Sequence, residues 1–296
     1  MRERGEISLF PILFCPMNDV LRLARERARA ERSRDADAHT HNDTLRAAEE
    51  ALAGLPTAPA AEGSDGHARS RAPAEPVAGL PAGARFEPAF LTPSQQAAVL
   101  AAVDAASVGR WIAGGTADSP RLIANFGGSP GRAAVTEALP RFLQTLAAGL
   151  AARLGWAAPP AHCLVNDYRG TSGLVHHTDG PLYSCSAVIT LGGPALLELR
   201  PAAATGGGRG APPPAHLLLR PGCALGLAGP AYSDWTHGIA AAAADTIPPS
   251  CVNVGAGQVG QVVARAPRRV SLVFVCKVRE SGGRQSGISE HLHTQR

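Results

Sequence analysis

The stretch GLVHHTDGPLYS, residues 173–184, sets His177 and Asp179 two positions apart. In an extended segment, side chains at i and i+2 leave the same face, so both can reach one ion while Thr178 points away and His176 belongs to the opposite face. The spacing alone carries little weight. A His-x-Asp triplet is expected about 0.4 times by chance in a chain of this composition, and a second copy, His41-Asn42-Asp43, lies in a polar stretch with no strand pattern. A third ligand must come from a distant strand, and His237 in YSDWTHGIA, 58 residues after Asp179, is the candidate. Two imidazoles and one carboxylate on one face of an octahedral ion leave three open positions, which suits Fe(II) that must take a chelating cosubstrate and O2. The competing reading is a polar turn over 177–180 with an unrelated His237.

A chelating keto acid such as 2-oxoglutarate has a far carboxylate that needs a cation inside an apolar cavity, and arginine provides it with charge-assisted, bidentate hydrogen bonds. RRVSLVFVCKVR, residues 268–279, is an apolar strand with Arg268 and Arg269 at one end. Arg269, Ser271, Val273, Val275, Lys277 and Arg279 share one of its faces. An inward arginine is costly to bury unless an anion pairs with it; the alternative is an edge strand with solvated ends.

These residues need a scaffold, and the chain is long enough for one. Its 296 residues, 45% of them hydrophobic, can bury a sizeable core. No apolar run approaches the roughly 18 residues of a membrane span, and Ile7–Cys15 is followed by charge and not by a cleavage site, which excludes a membrane-spanning helix and disfavours a secretory signal. Six scattered cysteines without a CxxC pair read as buried thiols in a reducing compartment, cytoplasm or nucleus. The net charge of +4 permits a polyanionic partner without requiring one.

Residues 1–84 read as a charged, solvated leader, including RLARERARAERSR, followed from 55 by a Pro/Ala/Gly-rich linker. The catalytic domain is expected over 85–280, with a tail at 281–296. FLTPSQQAAVLAAVDAA predicts a helix capped by Thr92 or Ser94, and the spacing of Leu139, Phe142, Leu143, Leu146, Leu150 and Leu154 predicts another. Eight short strands follow, at 163–169, 173–178, 185–192, 195–200, 216–220, 223–228, 235–240 and 268–279, with irregular insertions at AAATGGGRGAPPP and 241–265. This order predicts a mainly β fold with N-terminal helices, a double-stranded β-helix or jelly roll.

LVNDYRGTSGLVHHTDGPLYS, LLLRPGCALGLAGPAYSDWTHGIA and RRVSLVF, in that order, resemble the AlkB-like Fe(II)/2-oxoglutarate-dependent dioxygenases, as do FEPAFLTPSQQAAVL, NFGGSP and LPRFLQTL upstream. The resemblance covers roughly residues 85–279. It implies that His177, Asp179 and His237 are the iron ligands and catalytic centre. It also implies that Asn166 and Tyr168 bind 2-oxoglutarate and that Arg269, with Ser271 on the same face, grips its distal carboxylate. Tyr183 and Tyr232 are candidates to line the substrate mouth. The implied activity is oxidative demethylation of alkylated RNA or DNA, with hydroxylation of an N-alkyl carbon and loss of formaldehyde, by a monomer that acts on nucleic acid and not on membranes. A protein hydroxylase or demethylase on the same scaffold, or a catalytically weak nucleic-acid-binding protein, are the alternatives. Two positions depart from the family. Val275 stands where an arginine usually recurs, with Lys277 as a partial substitute, and Pro181 stands where the base-repair enzymes carry an acidic residue.

Overall fold

The computed structural model describes residues 22–28, 38–56, 74–116, 119–128, 137–202 and 212–277. The expectations for most of the linker, for the AAATGGGRG stretch, for Arg279 and for the tail lie outside the described residues.

Helix α1 (Ala38–Leu52) is followed by β1 (Ala84–Glu87), helix α2 (Pro93–Asp104), the hairpin β2 (Trp111–Thr116) and β3 (Ser119–Phe126), and helix α3 (Arg141–Leu154). The barrel strands are β4 (His162–Arg169), β5 (Leu174–His177), β6 (Tyr183–Leu191), β7 (Ala195–Pro201), β8 (Ala215–Leu219) and β9 (Ala224–Ala228). A short helix α4 (Pro230–Ser233) leads into β10 (Trp235–Ile239); the small hairpin β11 (Ala244–Thr246) and β12 (Val262–Ala264) precedes the last strand, β13 (Arg268–Lys277).

Among the described residues the major sheet has the order β1-β9-β6-β13-β4-β3-β2 and the minor sheet β5-β10-β7-β8. Four strands of each succeed one another across the two sheets, with β7 and β8 a hairpin within the minor one, in the pattern of a jelly roll, the expected double-stranded β-helix. The strand with the most to say is β13. Its even positions Val270, Leu272 and Phe274 join the core under α2 and α3, together with Val99, Val103, Phe142, Leu146 and Leu150. Its odd positions from Arg269 to Val273 face the space between the sheets, where Leu197, Leu217, Leu225 and Leu227 pack. A period of two therefore builds two cores from one strand.

Helix starts and stops follow local chemistry. Thr92 accepts from the Gln95 amide and the Gln95 side chain accepts from the Thr92 amide, a capping box that opens α2. Gly155, at φ 69°, ends α3 in the left-handed conformation that favours glycine.

Three findings differ from expectation. The leader is not uniformly solvated: Ala48 and Leu52 of α1 are fully buried, with Leu45 packed beside them. Spacing of three and four along a helix makes a narrow apolar stripe that overall charge conceals. At residues 22–28, Leu23 and Ala24 touch the same core, and Arg27 donates to Asp167 at 2.8 Å and stacks over Trp111 at 4.5 Å. Strands β1, β2 and β3 extend the major sheet beyond the eight expected, and 241–265 contains the β11–β12 hairpin.

Candidate metal and cosubstrate site

His177 ends β5 and His237 sits in β10, and the two are directly paired across the antiparallel ladder, with ring centroids 4.5 Å apart. Asp179 follows in the turn, its Oδ1 3.6 Å from His177 Nε2 and 3.7 Å from His237 Nε2. One ligand atom from each lies within 4.8 Å of the others, the one such cluster among the described residues. The tautomer suits a metal as well. His177 Nδ1 lies 2.8 Å from the Val175 carbonyl, which can only accept, so Nδ1 is the donor and Nε2 is the nitrogen turned to the cluster. Burial pushes the His237 imidazole down to about 4, with Asp179 opposing, so it is neutral at pH 7 as a ligand must be.

The turn that carries Asp179 is held from the far side. Gly180 has φ 83°, a glycine conformation, and its carbonyl accepts a 2.8 Å hydrogen bond from the Tyr232 hydroxyl on α4. Tyr232 and Tyr183 flank a groove with Thr178, Gly180 and Pro181, which places both beside the triad. The Tyr232 hydroxyl is thus engaged in the loop.

The other expected residues converge on the same cavity. Asn166, Tyr168, Arg269 and Ser271 line it with the triad. In the β4–β13 ladder Arg269 is opposite Tyr168 and Ser271 opposite Asn166. The Arg269 guanidinium lies 4.2 Å from the Tyr168 ring centroid and is buried without an acidic partner among the described residues. Burial pulls it below the ordinary arginine value, with Tyr168 pushing back. A buried cation facing a cavity is a fit for an anionic ligand. Arg268, its neighbour, faces outward and pairs with Asp104 at 2.5 Å and Asp167 at 3.1 Å.

Sequence reading missed Arg121 on β3, which lines the cavity, donates through Nε to Asn166 Oδ1 at 2.8 Å and lies 5.7 Å from the Tyr168 ring. Asn166 in turn offers its amide nitrogen to Ser271 Oγ at 3.4 Å. A lone arginine at the head of the largely apolar run RLIANF was the available signal. His176 turns outward as expected, 3.3 Å from Glu198, lying over Gly238, where any Cβ would strike the ring. The decoy pair falls on α1, where i and i+2 project about 200° apart; His41 and Asp43 are exposed and Asp43 pairs with Arg46 at 3.0 Å. Lys277 sits past a bulge opposite Tyr183 and does not line the cavity.

A jelly roll whose cavity is lined by two histidines, an aspartate and a buried arginine is the arrangement expected of a 2-oxoglutarate-type oxygenase. No family model matches the chain. A probable RNA/DNA demethylase ALKBH6 from Danio rerio is 30% identical over 205 residues, spanning 64% of this chain and 83% of that protein. The chain belongs to the AlkB-like family of Fe(II)- and 2-oxoglutarate-dependent dioxygenases, and is an oxidoreductase that uses both. Solved structures that resemble it include OsALKBH1, at 16% identity and TM-score 0.44 over 66% of this chain and 99% of that one. Another is a 2OG-Fe(II) oxygenase-family oxidoreductase from Burkholderia pseudomallei, at 17% and 0.38 over 65% and 83%. The strand order, and not that likeness, defines the fold.

Proposed function

We propose that the chain is an oxidative demethylase of alkylated nucleic acid, with Fe(II) held by His177, Asp179 and His237 and 2-oxoglutarate held by Arg269, Tyr168, Asn166 and Ser271. The observation that carries the reading is the single cavity shared by the triad and a buried arginine without an acidic partner among the described residues. When bound, iron with 2-oxoglutarate and O2 supplies hydroxylation of an N-alkyl carbon, after which the product loses formaldehyde. The chain's own work is binding and orientation. Arg269 grips the distal carboxylate with Tyr168 stacked beneath it, and Arg121 fixes the Asn166 amide by its 2.8 Å hydrogen bond. Leu164, Val188, Leu197 and Leu225 wall the cavity with apolar surface and exclude water. Tyr183 and Tyr232 flank a groove with Thr178 and Gly180, on either side of Asp179 in sequence, where a base would approach the metal, the substrate class that the ALKBH6 relative's name supports.

Mass spectrometry of N-methylated RNA and DNA oligonucleotides incubated with Fe(II), 2-oxoglutarate and O2 tests this. Loss of the methyl group with matching succinate is expected, and none with His177→Ala. Turnover of methylated peptides in place of oligonucleotides would assign the same site to proteins. Retained iron affinity and decarboxylation in His177→Ala would sink the ligand assignment.

A further inference from the structure

The inward face of β4 reads His162, Leu164, Asn166, Tyr168, in register with Val275, Val273, Ser271 and Arg269 of β13. The last three pairs line the cavity. His162 and Val275 are the next pair on the same face, about 7 Å further along. His162 is 1% exposed, and neither ring nitrogen has a hydrogen-bond partner among the described residues. Burial, helped by the Lys277 charge and opposed by Glu137, pulls its imidazole below the ordinary value. It is therefore neutral near pH 7, with one N–H to donate. A buried donor without an acceptor costs free energy that an apolar residue of similar volume would not, so the position points to a ligand. The ring is closed to solvent and does not itself line the cavity: it lies one pair beyond Leu164 and Val273, the last lining pair on this face, so a ligand in the cavity would reach it past that pair.

We infer that His162 donates a hydrogen bond to the metal-side carboxylate of 2-oxoglutarate, serving the near end of the cosubstrate as Arg269 serves the far end. Opposite it, Val275 has no polar group to offer, and Lys277 lies beyond the bulge at Cys276/Lys277. The inference rests on the cavity being the 2-oxoglutarate site.

Calorimetric titration of the full chain loaded with Mn(II), which binds without turnover, separates the two ideas. For His162→Leu the 2-oxoglutarate Kd should rise about 10-fold, and His162→Asn, which keeps a donor, should recover most of it. Levulinate keeps the ketone and the distal carboxylate but has a methyl group in place of the metal-side carboxylate, and its Kd, measured by competition, should be the same in all three proteins. Wild-type 2-oxoglutarate affinity in His162→Leu, or an equal loss for both ligands, overturns the inference and leaves the site assignment standing. Failure of the wild type to bind 2-oxoglutarate overturns both. If the leucine variant does not fold, His162→Phe takes its place, and the melting temperature of each ligand-free variant checks that the fold is intact.

Discussion

The molecule contains the His-x-Asp triplet twice, and the two copies behave oppositely. His41 and Asp43 stand on α1, whose geometry drives them to different sides in solvent, while that helix's contribution to the protein is the burial of Ala48 and Leu52. His177 and Asp179 stand at a strand end, where the same spacing turns both toward His237. The difference teaches that a two-residue spacing is a ligand pair only when the backbone is extended, and only when a third residue is brought beside it by sheet pairing.

That contrast can be broken at several points. Leu52→Ala should lower stability by about 2–5 kcal/mol, seen as an earlier denaturant midpoint, with the Mn(II) affinity of the folded protein unchanged. His177→Ala should do the reverse, weakening Mn(II) by more than about 100-fold in equilibrium titration while the melt of the metal-free protein stays near wild type, since a ligand costs more than the 10–100-fold typical of its outer partners. Mn(II) at a hundred times its Kd should stabilise the wild type by about 2.7 kcal/mol and leave His177→Ala untouched. Tyr232→Phe removes the hydrogen bond to Gly180 but not the ring; metal affinity should fall by about 3- to 10-fold, the scale of one hydrogen bond. His41→Ala and Asp43→Ala should change stability by less than about 0.5 kcal/mol and metal affinity not at all. Metal affinity that responds to His41→Ala as much as to His177→Ala would collapse the comparison.

Much of the barrel was legible because its strands are short apolar runs bounded by Gly and Pro, and all eight expected strands are present. Strand β2 was not. It reads WIAGGT, with two glycines and an Ile112 that is 54% exposed, so it lacks the alternation that announces a strand and is held by pairing with β3. Arg121 was missed for the same kind of reason, since its meaning lies in the register that sets it opposite Tyr168, 47 positions along the chain. His162 gave no signal either: an imidazole in HCLVNDYR is unremarkable until both its nitrogens are found buried and unpartnered among the described residues.

The sequence by itself determined that Arg268 and Arg269 leave opposite faces of one strand, that α2 is capped near Thr92 and that short strands follow the helices, because these follow from local periodicity and local hydrogen bonding, while the family was legible through the resemblance of its motifs. Only the tertiary structure decided which His-x-Asp pair meets a third candidate ligand, that Tyr232 anchors the Asp179 turn, that Arg121 reaches Asn166 and that His162 is buried opposite Val275. Those are contacts between residues far apart in the chain, set by strand register and by which face each strand buries, and no local pattern encodes them.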